Sequence, residues 1–249
     1  MDNRLKNRIF RQTPNKDKTD MFHQRSTTNP TEQLAISLGH ADISAALIHI
    51  LAGDTYDQIR GAYWSGQFAL AGANLLVREN VRITGAHNIS VGENVLIEEG
   101  VTIYADLGPL KIGSNSLIRK GSVIIIGSEQ GKGVTLGEWC QVGFYSTLNA
   151  GYGLLLGNYV IIGPNVQMNN YNHCYERTDV PIRFQGGYGR QTTVGDDCWI
   201  GTGAIILGTT LGQGCVVGAG ALVNRDFPEF SVLAGVPAKI IKNRGVSQT

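Results

Sequence analysis

The chain has almost no net charge, few histidines and no long hydrophobic run. Its 249 residues carry 21 Lys and Arg against 20 Asp and Glu. That balance gives no bulk electrostatic argument for a nucleic-acid partner. No apolar stretch approaches the ~18 residues of a helical membrane span. The longest, Ile43–Ala52, is interrupted by Ser44 and His49. The first residues are polar and basic and lack the hydrophobic centre of a secretory signal, so a cytoplasmic location is the default expectation. Only 4 cysteines are present, and Cys140, Cys198 and Cys215 share one position of an internal repeat. They read as small core residues, not as a disulfide framework.

Glycine, by contrast, is abundant at 33 residues. Much of it belongs to a six-residue beat. The lead residues are Ala71, Val77, Ile83; Val91, Ile97, Ile103; Ile112, Ile118, Ile124; Leu136, Val142, Leu148; Leu156, Ile162, Met168; Val194, Ile200, Ile206; Leu211, Val217, Val223. Within each triplet the step is 6; between triplets it is 8, 9, 12, 8, 26 and 5. A beat perturbed only after every third hexad describes a solenoid with three short faces per turn, its loops leaving from one corner. Nineteen of the 21 leads are Val, Ile or Leu. Such residues at a fixed corner stack on their copies above and below. The residue after the first lead of each triplet is Gly in all seven cases, from Gly72 to Gly212. A glycine there permits a positive φ at a sharp corner. An ordinary β-sandwich shows turn signals at wider spacing and does not hold this beat. At the parallel-strand spacing of about 4.8 Å, seven turns make a prism some ~30–35 Å tall.

The repeat divides the chain. Residues 1–28 read as a flexible basic tail, with at most peripheral contact to an anionic membrane surface. Residues 29–70 read as a helical cap: Asn29 caps, Pro30 follows in the first turn, and Asp54 caps a second short helix through Trp64. A cap covers the strand edges that an open solenoid end exposes. Residues 71–227 form the solenoid, with a loop over 174–193, and residues 228–249 form a C-terminal tail. The step of 26 after Met168 is the largest excursion in the chain. His173 stands where that loop departs, among Asn169, Asn170, Tyr171 and Asn172. An imidazole can take up a proton near neutral pH, and loops on rigid scaffolds are where sites are commonly built.

The ending of the chain is specific. Trp199-Ile200-Gly201, then Gly218-Ala219-Gly220, then Gly235-Val236-Pro237-Ala238-Lys239 occur in that order. Across residues 71–244 the chain resembles the hexapeptide-repeat acyltransferases, in particular the branch of galactoside, maltose and capsule-polysaccharide O-acetyltransferases. The resemblance implies an all-β, left-handed parallel β-helix of about seven triangular coils. That hand departs from the right-handed rule for parallel crossovers. It also implies a homotrimer with acetyl-CoA held between neighbouring prisms and a sugar or glycan acceptor, with no metal and no nucleic acid. By the same resemblance His173 is the catalytic base, and Trp199 assists. Contacts to the thioester arm map to Thr202 and Gly203, with others at Ala219 and at Asn224, where many relatives have Thr. Contacts to the nucleotide map to Arg225, Pro237, Lys239 and Lys242. Substrate contacts map to Tyr145 and Asn149, where galactoside-type enzymes carry an Asn, and to Asn170 and Asn172 beside the base. The chain departs from the pattern at Leu207-Gly208-Thr209, where the usual Pro is absent and the hexad is one residue short; a local kink is expected there.

The reaction so implied is direct acetyl transfer to a sugar hydroxyl of a capsule-type or lipopolysaccharide-type glycan. Glu176, Asp179 or a backbone carbonyl are the candidates to orient the imidazole. N-acetylation of an aminosugar nucleotide is the alternative enzyme, and a non-catalytic trimeric scaffold the alternative outside catalysis. A three-histidine zinc site on the same kind of prism needs ligands together, whereas His87 and His173 lie in triplets one and five, roughly 20 Å apart along the axis.

Overall fold

The computed structural model describes residues 53–127 and 132–245. The basic tail, the first part of the helical cap and the last four residues lie outside the described residues.

The chain winds into a left-handed parallel β-helix with three sheets, one per prism face. The first coil runs Leu70–Ala71, Leu76–Val77 and Arg82–Thr84. The fifth runs Leu154–Leu156, Ile161–Ile162 and Gln167–Asn169, the sixth Thr192–Val194, Trp199–Ile200 and Ile205–Leu207, and the seventh Thr210–Leu211, Val216–Val217 and Leu222–Val223. Equivalent residues pair directly between coils: Leu156 with Val194, Ile162 with Ile200, Met168 with Ile206. The lead residues form the axial core, as the six-residue beat predicts. All are buried except Ala71 and Ile83, both in the terminal coil, which still pack against the core.

The glycine after each first lead has a different cause from the one expected. None of these seven glycines has a positive φ; the left-handed residue comes two positions later, at Asn74, Asn94, Asn115, Trp139, Tyr159, Asp197 and Gly214. Glycine is needed because the next coil lies too close. A Cβ on Gly72 would meet the Gly92 carbonyl carbon at 2.5 Å, and one on Gly113 would meet that of Gly137 at 2.4 Å. Inside the same corner, small donors bridge the coils: Ser116 Oγ donates to the Gly137 carbonyl at 3.1 Å, and Cys215 Sγ to that of Pro228 at 3.1 Å. Cys140, Cys198 and Cys215 therefore sit where the repeat put them, buried and free of disulfides.

Both ends are closed by chain. Helix α1, Asp54–Ser65, lies across the first coil, with Gly53 and not Asp54 in the N-cap position. Its contact is close: a Cβ on Gly61 would collide with the Leu75 carbonyl at 2.0 Å. Arg60 is fully buried there, donating from Nε to the Val77 carbonyl at 2.7 Å and pairing with Asp57. At the other end the winding continues past 227 into the residues read as a tail. Phe227 bridges Leu211, Ser231–Ala234 pairs with Val216–Val217, and Lys239–Asn243 folds back antiparallel on Ser231–Ala234. The short hexad at Leu207–Thr209 is absorbed by a positive φ of 50° at Gly208, and parallel pairing resumes at Thr210. Among the described residues no helix is long and apolar enough to cross a membrane.

Candidate active site

Two groups of predicted residues emerge, at the two ends of the third prism face. The first is built where the chain leaves the fifth coil. Asn169 ends the strand Gln167–Asn169 and lies in register beside Asn149 below it and Leu207 above. Asn170 follows and is 2% exposed. Its side-chain oxygen accepts the Tyr152 N–H at 2.9 Å, and its amide donates to the Gly153 carbonyl at 2.7 Å. With both polar ends engaged by main chain inside the protein, Asn170 is an anchor and does not face a substrate. That corrects its expected role.

From this anchor a hairpin projects. Tyr171–His173 pairs antiparallel with Gly187–Gly189, setting His173 opposite Gly187 and Asn172 opposite Tyr188. His173 and Asn172 are exposed. The contact the His173 ring makes is with Tyr171, edge to face, at a centroid distance of 5.1 Å. The carboxylates expected to orient it are engaged elsewhere: Glu176 accepts the Tyr175 N–H at 3.0 Å, and Asp179 pairs with Arg177 at 3.1 Å. The loop beyond is tied internally by Gln185, whose amide donates to the Arg177 and Val180 carbonyls, each at 2.7 Å. At the hairpin base Arg190 donates to Asp226 at 3.0 Å, and Asp226 also accepts the Thr210 N–H at 2.7 Å. The Arg190 guanidinium and then that N–H hold the Asp226 carboxyl below the usual carboxylate range.

The second group lines the edge between the second and third faces. Thr202 and Gly203 turn this corner in the sixth coil and Ala219 in the seventh. They are stacked through main chain: Gly203 N–H donates to the Pro164 carbonyl and Gly220 N–H to that of Thr202, both at 2.9 Å. Gly235 to Ala238 cover the same edge from the end, with Leu222 N–H donating to the Gly235 carbonyl at 3.0 Å and Ala238 N–H to that of Leu222 at 2.7 Å. Pro237 thus joins Thr202, Gly203 and Ala219, and Lys239 begins the strand just beyond. Lys239 and Lys242 are exposed, and neither has a carboxylate partner among the described residues. The edge changes character along the axis. In the first three coils it carries Arg78, Glu98, Arg119 and Lys120 in ion pairs. In the fourth it carries Phe144 and Tyr145, and beyond that only small or proline residues.

The other predicted residues are spread over the same edges in other coils or lie on other faces. Tyr145 turns the second-to-third corner with φ 55°, at the far end of the third face from His173. Asn149 sits at the His173 end, one coil below. Asn224 and Arg225 lie at the third-to-first corner, away from Thr202, with Arg225 stacked over Phe227 at 5.1 Å. Trp199 points out of the second face between Ile161 and Val216 and is 54% exposed. The width of the third face, about five strand residues or roughly 15 Å, separates His173 from the Thr202 edge within one chain. What the sequence reading missed is the tyrosine pair beneath His173. Its sequence signal is the alternation Gly187-Tyr188-Gly189, two empty positions on one side of the returning strand. Among the described residues no group of three or more His, Cys, Asp or Glu is placed to hold a metal.

Comparison with known proteins places the chain. Residues 191–225 match the family model described as the hexapeptide repeat of succinyl-transferase. An acetyltransferase-class protein of Dictyostelium discoideum is 33% identical over 176 residues, which cover 70% of this chain and 68% of that protein. The galactoside O-acetyltransferase of Lactococcus lactis is 31% identical over 132 residues, 52% of this chain and 61% of that protein. Among solved structures, the N-acyltransferase AntD of Bacillus cereus, in complex with dTDP and 3-hydroxybutyryl-CoA, superposes with a TM-score of 0.53 at 19% identity. That likeness covers 74% of this chain and 88% of the other, and it shows the shared fold.

Proposed function

From the hexapeptide-repeat acyltransferase family, to which this chain belongs, we propose that it is an acetyl-CoA-dependent O-acetyltransferase acting on a sugar hydroxyl of a surface glycan. The observation that carries this reading is His173, exposed on a hairpin anchored by the buried Asn170.

In the proposed reaction the acceptor hydroxyl oxygen attacks the thioester carbonyl carbon. His173 takes the hydroxyl proton as that bond forms, a role typically worth about 10²–10⁴ in rate. The tetrahedral intermediate collapses, the carbon–sulfur bond breaks, and the imidazolium returns the proton to the departing thiolate. Products are the O-acetyl ester and CoA thiol. The oxyanion needs a donor, either a main-chain N–H or the Trp199 indole N–H. Asn149 and Asn172, at the His173 end of the third face, are the proposed acceptor contacts. Thr202, Gly203, Ala219 and Pro237 would hold the thioester arm, with Lys239 and Lys242 toward the nucleotide phosphates.

The separation of His173 from the Thr202 edge within one chain favours a site shared between copies, His173 of one facing the edge of the next in a homotrimer. Holding acceptor and donor together in that crevice supplies much of the remaining acceleration. The testing experiment incubates the protein and acetyl-CoA with a panel of capsule and lipopolysaccharide oligosaccharides, reading CoA thiol release and a mass gain of one acetyl group. Mild alkali then separates esters from amides. Alkali-labile product supports the O-acetyl reading; alkali-stable product would shift the assignment to N-acetylation of an aminosugar; no product and no thiol release would reject both.

A further inference from the structure

One aromatic assembly is left unused by the proposed chemistry. Tyr152 stacks on Tyr171 with centroids 6.2 Å apart and planes inclined by 27°. Tyr171 then meets His173 at 5.1 Å and 86°. Residues two apart on a strand face the same side, so the sequence Tyr171-Asn172-His173 sets the second contact by itself. The first is made possible across the hairpin. A Cβ on Gly187, the partner of His173, would sit 2.2 Å from the Tyr171 hydroxyl. A Cβ on Gly189, the partner of Tyr171, would sit 2.5 Å from the Tyr152 ring. The empty position at Gly187 leaves room for the Tyr171 ring, and that at Gly189 clears both the Tyr152 ring and the Asn170 carbonyl, which a Cβ would meet at 1.9 Å. Asn170 fixes the base of the stack by binding the main chain of Tyr152 and Gly153.

We propose that Tyr171 is a positioning residue for His173: its ring, backed by Tyr152, holds the imidazole by packing, in the place where an orienting carboxylate was expected. This rests on the reading of His173 as the base. Packing fixes the plane of the ring while making no hydrogen bond to either nitrogen, so both remain available to the acceptor hydroxyl and the departing thiolate. An edge-to-face pair of this spacing is a favoured aromatic geometry.

The test compares Tyr171→Phe, Tyr171→Leu and Gly187→Ala by kinetics and by the NMR resonance of the His173 ring, assigned with His173→Gln. Tyr171→Phe keeps the ring and should hold both the ring-shifted resonance and kcat within about twofold. Tyr171→Leu should move the resonance toward its free-histidine position and lower kcat by more than about tenfold, with the KM for acetyl-CoA unchanged. Should Tyr171→Leu fail to fold, Gly187→Ala carries the test, since it displaces the Tyr171 ring and should give the same two changes. An unmoved resonance in the ring-removing variants, or a moved resonance with wild-type kcat, would overturn the proposal. If His173→Ala itself retains normal activity, the base assignment falls, while the resonance still reports whether Tyr171 positions the ring.

Discussion

The main-chain N–H of Tyr152 donates to the side-chain oxygen of Asn170 at 2.9 Å, across the corner where the hairpin leaves the fifth coil. This bond and its companion to Gly153 convert an interrupted repeat into a fixed departure point. Asn170→Ala would take this acceptor from the part-buried Tyr152 N–H, at a cost of about 1–3 kcal/mol, while the Gly153 carbonyl keeps the Thr192 N–H at 3.1 Å. The expected result is a lower unfolding midpoint, with hydrogen exchange accelerated over 171–189 before the coils themselves. Uniform acceleration along the whole prism would show that the anchor is not local.

His173→Ala should lower turnover at least about a hundredfold and leave the particle mass unchanged, because the side chain is exposed and supports no packing in the core. Steady-state kinetics and light scattering read the two outcomes separately. Near-normal turnover would remove His173 from the chemistry.

Lys239→Ala should raise the KM for acetyl-CoA severalfold and leave kcat within about twofold, the pattern of a lost uniform-binding contact. The lysine is exposed and has no carboxylate partner among the described residues, so fold stability should not change. An unchanged KM would exclude it from the phosphate contacts.

The Arg190–Asp226 pair ties the hairpin base to the seventh coil. Asp226 is held below its ordinary range in the folded protein, so it contributes stability above its unfolded value of about 3.9. That contribution fades as pH falls through the lower, folded value. Asp226→Asn should therefore be less stable than the parent at pH 7 by under about 1 kcal/mol, since both side chains are half-exposed. The difference should shrink progressively as pH falls below the ordinary carboxylate range, as read from urea midpoints. A constant difference across pH would mean that the charge is irrelevant.

Much of the fold was legible because a six-residue beat has one economical solution. A chain that places an aliphatic at the same point of every hexad must stack equivalent corners, and Ile162, Ile200 and Val217 do so in register. The corner glycines were found, but their reason was not. Flexibility at Gly72 is a property of one residue, whereas its collision with Gly92 belongs to two coils and cannot be read from either alone. The continuation past Phe227 was missed because Ser231–Ala234 breaks the spacing while keeping the pairing. In the candidate site the resemblance supplied residue types without sides of the prism. Asn170 and Asn172 look alike in sequence, yet Asn170 sits in the buried turn between the strands Gln167–Asn169 and Tyr171–His173, whereas Asn172 lies on the exposed hairpin. Tyr145 was aligned by proximity in sequence; its position before the strand Thr147–Ala150 puts it on the edge that also carries Thr202 and Ala219, across the face from His173 of its own chain.

In a site shared between copies, His173 of one chain serves the Thr202–Ala219 edge of another. His173→Ala and Ala219→Trp, which obstructs the exposed edge, should each abolish CoA release with the glycan acceptor. Co-expressed with different tags and purified as mixed trimers, the two variants pair one intact His173 with one intact edge at a single interface. A shared site should restore about one third of wild-type turnover per trimer. Mixed trimers as inactive as either parent would contradict it.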